Sequence, residues 1–251
     1  MQRQLRISSI RSAPVVAAVL SAALTLMLSS SALAKPAAPA AKIFPTDSIP
    51  FGQTYAQWSA HWWQWALAFP PVSPDHPFID PFDCNSLSNG QSGPVWFLGA
   101  TFGLSVRSCT IPANTALFVG SLNAEGSSLE GSVTEADQRD QANFLANHIV
   151  VDSLFLSLDG KQLQGLGRFR FVSSQFTFTA PTPWIFGNND PGPNIGGTGT
   201  AVSDGYFVMF NPLSSGAHTL RFGGAFHFSV AEGDPFDFDA AIDTTYNLTV
   251  Q

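Results

Sequence analysis

The sequence predicts a mainly β protein: an antiparallel β-sandwich or jelly roll with one or two packed helices. Three observations predict it. Roughly eight to ten short segments alternate apolar with polar residues and are bounded by Gly, Pro, Asn and Asp clusters. The 251-residue chain holds 22 Phe, 21 Gly and 18 Pro, a composition of strands and turns. Only two later stretches carry a helical pattern, which suits helices packed on a sheet.

The elements follow in chain order. Arg3, Arg6 and Arg11 precede the apolar run 13–28, and "ALA" at 32–34 is a small-residue cleavage site, so residues 1–34 read as a signal peptide. Paired arginines are missing, which favours general secretion. Residues 35–50 read as a Pro/Ala-rich linker and lead-in, and 51–251 as a single β-sandwich domain. The protein is expected to be secreted or periplasmic, with no transmembrane segment in the mature chain.

Removing the signal leaves eight basic against eighteen acidic residues, a net charge of −10. Such a chain has no electrostatic footprint for nucleic acid and no polybasic patch for anionic lipid. Its two cysteines, Cys84 and Cys109, lack CxxC spacing and in an exported protein read as one disulfide.

"TYAQWSAHWWQWALAFP", 54–70, contains four of the six tryptophans. Thr54 and Gln57 fit a capping box, and Pro70 and Pro71 end the helix. At 100° per residue Tyr55, Trp58, Trp62, Trp65 and Phe69 form one stripe, Trp63 and Leu67 flank it, and only Gln57, His61 and Gln64 mark a polar edge. A helix this apolar is expected to pack as core, with an aromatic ligand platform as the sharper alternative. "SVTEADQRDQANFLANHIV" is a second helix, with a capping box from Ser132 and Glu135.

Strands are expected at "PVWFLGATF" and "SVRSCTIPANTALFVGSL". A hairpin follows around Asp159-Gly160, with Phe169 and Phe171 alternating against Arg168 and Arg170. Further strands are "SQFTFTAP", "AVSDGYFVMFNPL", two around Gly223-Gly224, and the closing "TTYNLTV". The two helices and the polar final residue argue against an outer-membrane barrel.

Several of these segments, "YAQWSAHWWQWALAFP", "HPFID", "QSGPVWFLG", "CTIPANTALF" and "VSDGYFVMFNPLSSGAHTLRFGG", resemble a group of uncharacterised secreted bacterial proteins. The resemblance implies export and a single domain and supplies no catalytic residues. The acidic stretch 232–243 lies outside it.

Three places are candidate sites. "EGDPFDFDAAID" gathers Glu232, Asp234, Asp237, Asp239 and Asp243 without a base among them. Glu232, Asp234, Asp237 and Asp239 offer oxygen ligands for Ca²⁺, although their spacing is not that of an EF-hand. Asp237 and Asp239 would alternatively be an acid/base pair, and a solvated loop is the plain alternative. Trp184 and Phe186 stand beside Asn188, Asn189 and Asp190, a set that suits sugar stacking with hydrogen bonding. The loop carrying Asp75, His76, Asp80 and Asp83 is expected to hold turns together. His218 and His227, expected on adjoining strands, are a weak zinc pair, and the sequon at Asn247 lies in an expected strand.

The leading functional expectation is an exported non-catalytic β-sandwich protein that binds a carbohydrate or another envelope or extracellular component. The alternatives are a polysaccharide-active hydrolase or lyase using an Asp acid/base and a structural envelope protein without ligand. What surrounds the aromatics separates them: burial of Trp58, Trp62, Trp65 and Trp184 together would leave no platform.

Overall fold

A computed structural model describes residues 42–85, 90–187 and 195–251. It is the expected mainly β sandwich with two helices. One five-stranded sheet has the order β1 (Val95–Leu98), β3 (Ala116–Ser127), β8 (Gly197–Phe210), β6 (Arg170–Val172), with β7 (Phe176–Ala180) also on β8. The other runs β2 (Gly103–Ile111), β10 (Phe238–Val250), β9 (Gly216–Phe228), β4 (Phe155–Leu158), β5 (Lys161–Gln162). Each sheet is mixed, because β1 runs parallel to β3 and β2 parallel to β10.

Helix α1 (Tyr55–Leu67) begins where expected: Thr54 and Gln57 form the capping box. It lies on one face of the first sheet. Ser59 bonds Ser203 of β8 at 2.9 Å, and the Tyr55 hydroxyl accepts from the Met209 amide at 3.2 Å. Trp58, Trp62, Trp63 and Trp65 are all buried there. Neighbouring residues on a strand face opposite ways, and Asp204 accordingly meets the other layer, taking a bond from Asn143 of α2 (Glu135–Asn147) at 3.2 Å. Helix α2 and the second sheet cover that opposite face, where Leu122 and Tyr206 join Phe226 and Ile242 in one cluster.

Three local expectations need adjustment. Helix α2 is capped by Thr134 with Asp137, two residues later than Ser132 with Glu135. Gly223-Gly224 is no turn: β9 runs straight through it for 13 residues. A Cβ on Gly223 would fall 1.9 Å from the Ile242 carbonyl oxygen, so glycine here lets β10 come close. Phe169 ends a 3₁₀ turn, and only 170–172 is strand. The Asp159-Gly160 turn does close β4 on β5, with φ of 51° and 74° as a type I′ turn demands.

The long loop before β1 is tied down twice. Cys84 and Cys109 form the expected disulfide. Asp80 accepts from Arg107 Nε at 2.9 Å and lies 2.8 Å from its Nη2, while Arg107 Nη1 donates to the Tyr246 hydroxyl at 2.9 Å and to the Gly99 carbonyl at 3.1 Å. Residues before Pro50 also join the fold: Ile43 bridges Phe210, and the Phe44 carbonyl accepts from Tyr55. Among the described residues no helix is long and apolar enough to cross a membrane.

Candidate functional site

A cleft opens where β1 stops. Beyond Leu98 and its partner Val119, no named strand pairs with that edge of β3. The chain instead crosses through 99–102 from the first sheet to the second. Two joined cavities, of about 300 and 240 Å³, lie along the uncovered edge. Both are lined by Trp63, Phe102, Asn123, Phe186 and Phe226. The first adds Trp62, Phe78, Ser121 and Ile242, and the second adds Glu125, Glu130, Phe228 and Phe238. The size falls in the range of small-molecule sites.

A β-bulge aims the polar residues. Gly120 pairs with Phe207 but Asn123 pairs with Gly205, so β3 carries one extra residue between them. Before the bulge Phe118 packs on Tyr55 and Trp58, and Gly120 abuts Trp62, so even-numbered residues face α1. After it Asn123 and Glu125 face that way, because Glu125 stands opposite Ser203, which bonds α1. Gly205 makes the crossing possible: its φ is 147°, and a Cβ would lie 2.3 Å from the Asn123 Cα.

The polar groups of the cleft are short of partners. Glu125 is only 3 % exposed and Ser121 only 4 %. Among the described residues both Glu125 carboxyl oxygens, the Ser121 hydroxyl, Asn123 Oδ1 and Trp63 Nε1 are buried and make no hydrogen bond of ordinary geometry, while Ser127 and Glu130 lie near enough to Glu125 to influence its ionisation. Unmet buried polar groups each cost stability, and here four residues carrying them are spread over the two cavities. Burial pushes the Glu125 carboxyl well above the usual carboxylate range, and the nearby Glu130 carboxyl pushes the same way. Glu130 accepts from Ser127 Oγ at 2.8 Å at the exposed end. Among the described residues no Lys, Arg or His lines either cavity.

The residues singled out in the sequence go elsewhere. Trp184 is 1 % exposed and packs on Phe178 and Phe186, so it offers no open face, and Phe186 lines the cleft. Asn188, Asn189 and Asp190 lie outside the described residues. Each acid of the 232–243 stretch has its own local contact. Asp234 accepts from the Ser229 amide at 2.7 Å and meets His148 at 2.8 Å. Asp237 accepts from the Val230 amide at 2.8 Å, Asp239 pairs with His227 at 2.6 Å, and Glu232 is 3.9 Å from His227. Asp243 holds Arg221 with two bonds. Among the described residues no three His, Cys, Asp or Glu side chains converge as a metal cage. His218 and His227 both sit on β9; His218 is bonded to Asp159 and Ser214.

His76 is buried, and its Nδ1 accepts from the Phe78 amide at 3.1 Å. Burial, helped by the Arg107 charge, lowers its pKa to about 4. It sits behind Phe78, edge-on at 5.1 Å, and so supports a cleft wall without lining it. The expected strand segment 105–122 ends before Asn123 and Glu125, whereas β3 runs on to Ser127. The signal present was Ser121, Asn123 and Glu125 at alternate positions within an otherwise apolar run. No family model, no curated protein and no solved structure matches the chain.

Proposed function

We propose that the protein is an exported binding protein that takes a small, largely apolar molecule bearing a polar group into the cleft at the β3 edge. One observation carries this reading: five buried polar atoms that make no ordinary hydrogen bond among the described residues, on Trp63, Ser121, Asn123 and Glu125, line two joined cavities with apolar walls. A ligand that meets them removes a standing desolvation cost, while the aromatic walls take up its hydrocarbon. The burial of Trp184 and of the α1 tryptophans moves the reading away from a sugar-stacking platform and toward an enclosed apolar ligand. The formed disulfide fits an oxidising compartment.

The test uses N-phenyl-1-naphthylamine, an uncharged apolar dye whose emission rises on leaving water. The purified, disulfide-intact protein should enhance its fluorescence saturably. Thr101→Trp, which adds bulk at the cleft lining, should weaken binding roughly tenfold, the scale of losing a well-packed apolar contact, with the melting temperature little changed. Absence of saturable enhancement, or undiminished binding by the Thr101→Trp protein, would overturn the reading.

A further inference from the structure

The unmet groups have a sign. Asn123 Oδ1 is an acceptor, both Glu125 oxygens are acceptors once the carboxyl gives up its proton, and the Ser121 hydroxyl accepts as readily as it donates. Trp63 Nε1 is the one obligate donor among them. A ligand that completes this set must therefore bring hydrogens, and several of them. An alcohol brings one. An anion would meet Glu130, and Glu125 once ionised, with like charge. A primary ammonium brings three N–H donors and a positive charge, and no Lys, Arg or His of the described cleft lining competes for the carboxyls.

The walls agree. Trp62, Trp63, Phe78, Phe186, Phe226 and Phe228 present ring faces and edges around the cavities, and aromatic faces attract cations. The mature chain's net charge of −10 raises the local concentration of cations further.

We infer that the cleft binds a lipophilic primary amine in its ammonium form, its head at Asn123 and Glu125 and its hydrocarbon between Trp63, Phe186 and Phe226. This assignment rests on the apolar-cleft reading above and narrows it to a ligand class. In the empty cleft Glu125 holds its proton. When the ammonium enters, that proton leaves to solvent and N–H···O⁻ bonds replace it; no covalent bond changes. Glu130 is the other titratable group lining the cleft and faces Glu125 from the exposed end. Binding therefore strengthens as pH rises, until the amine itself loses its proton.

Calorimetry with three probes of matched shape tests this: 2-phenylethylamine, 2-phenylethanol and 3-phenylpropionate, each in phosphate and in HEPES, whose ionisation heats differ. The amine should bind more tightly than the alcohol by roughly tenfold or more, the effect of a charge-assisted hydrogen bond. The propionate should not bind. Only the amine should show a buffer-dependent heat, reporting proton release. Glu125→Gln should reduce the amine's advantage to about twofold, and Glu130→Gln should reduce it by a smaller factor. Equal binding of amine and alcohol, or an amine advantage that survives both substitutions, would overturn the assignment. The two readings fail separately. If the naphthylamine dye also fails to bind the unmutated protein, the cleft-binding reading falls; if the dye binds without any amine preference, only the amine falls.

Discussion

Glu125 is an acid in a place where burial outweighs the one contact, with the Ser127 hydroxyl, that favours its ionised form. Its pKa is higher in the fold than in the unfolded chain, chiefly through burial and secondly through Glu130. The folded state therefore binds that proton more tightly. The linked stability is full below the ordinary carboxylate range and is lost as pH rises toward the folded value. Glu125→Gln should thus raise the melting temperature at pH 8 by a few degrees, about what one kcal/mol does in a chain of this size. At pH 4 it should change little. Melts of the two proteins across pH 4 to 8 check this, and a variant less stable than its parent at pH 8 would contradict a neutral buried acid. At this scale the sequence was partly legible. The cysteine pair and the Thr54 cap are local patterns. Glu125 is not, because its burial depends on α1, brought over it from about seventy residues away in the chain.

Among the elements, the pieces read correctly are those whose geometry is set by adjacent residues. Asp159-Gly160 needs two positive φ values, and those residue types supply them. Two overlapping frames at the start of α2 look alike in sequence, Ser132 with Glu135 and Thr134 with Asp137, and the choice falls to the frame whose residues actually begin the helix. Gly223-Gly224 reads as a turn because glycine serves turns; here it serves a close strand pair, which no local pattern distinguishes. Gly223→Ala should therefore destabilise the fold by at least about 2 kcal/mol, as overpacking against backbone does. Urea denaturation measures it, and a cost under half of that would mean the β9–β10 pair is looser than its register implies. The bulge in β3 is the element-level event that sequence could not give, since one extra residue reverses which side chains face α1.

Across the whole molecule, the sandwich class was legible from composition and alternation, whereas the stacking of three layers around one uncovered strand edge was not. The long loop before β1 is held to the second sheet by the disulfide and by the Arg107 cluster. Arg107 is nearly sealed from water, so removing its carboxylate strands a charge. Asp80→Ala should cost about 3 kcal/mol, within the range for breaking a buried pair. Reducing the disulfide should cost a similar amount, on the order of 3 kcal/mol for a loop of this length. Denaturation of the oxidised variant and of the reduced parent would show both losses; an Asp80→Ala protein as stable as the parent would mean that Tyr246 and Gly99 suffice to hold the guanidinium.

The walls of the cleft are drawn from nearly the full length of the chain, from Trp62 to Ile242. Synthesis delivers the α1 wall early and the β10 wall almost last. No nascent or truncated chain can enclose a guest, because one side of the chamber does not exist until the final strand has been made and paired. Any molecule enclosed by the cleft would therefore meet a chain in which β10 is already paired.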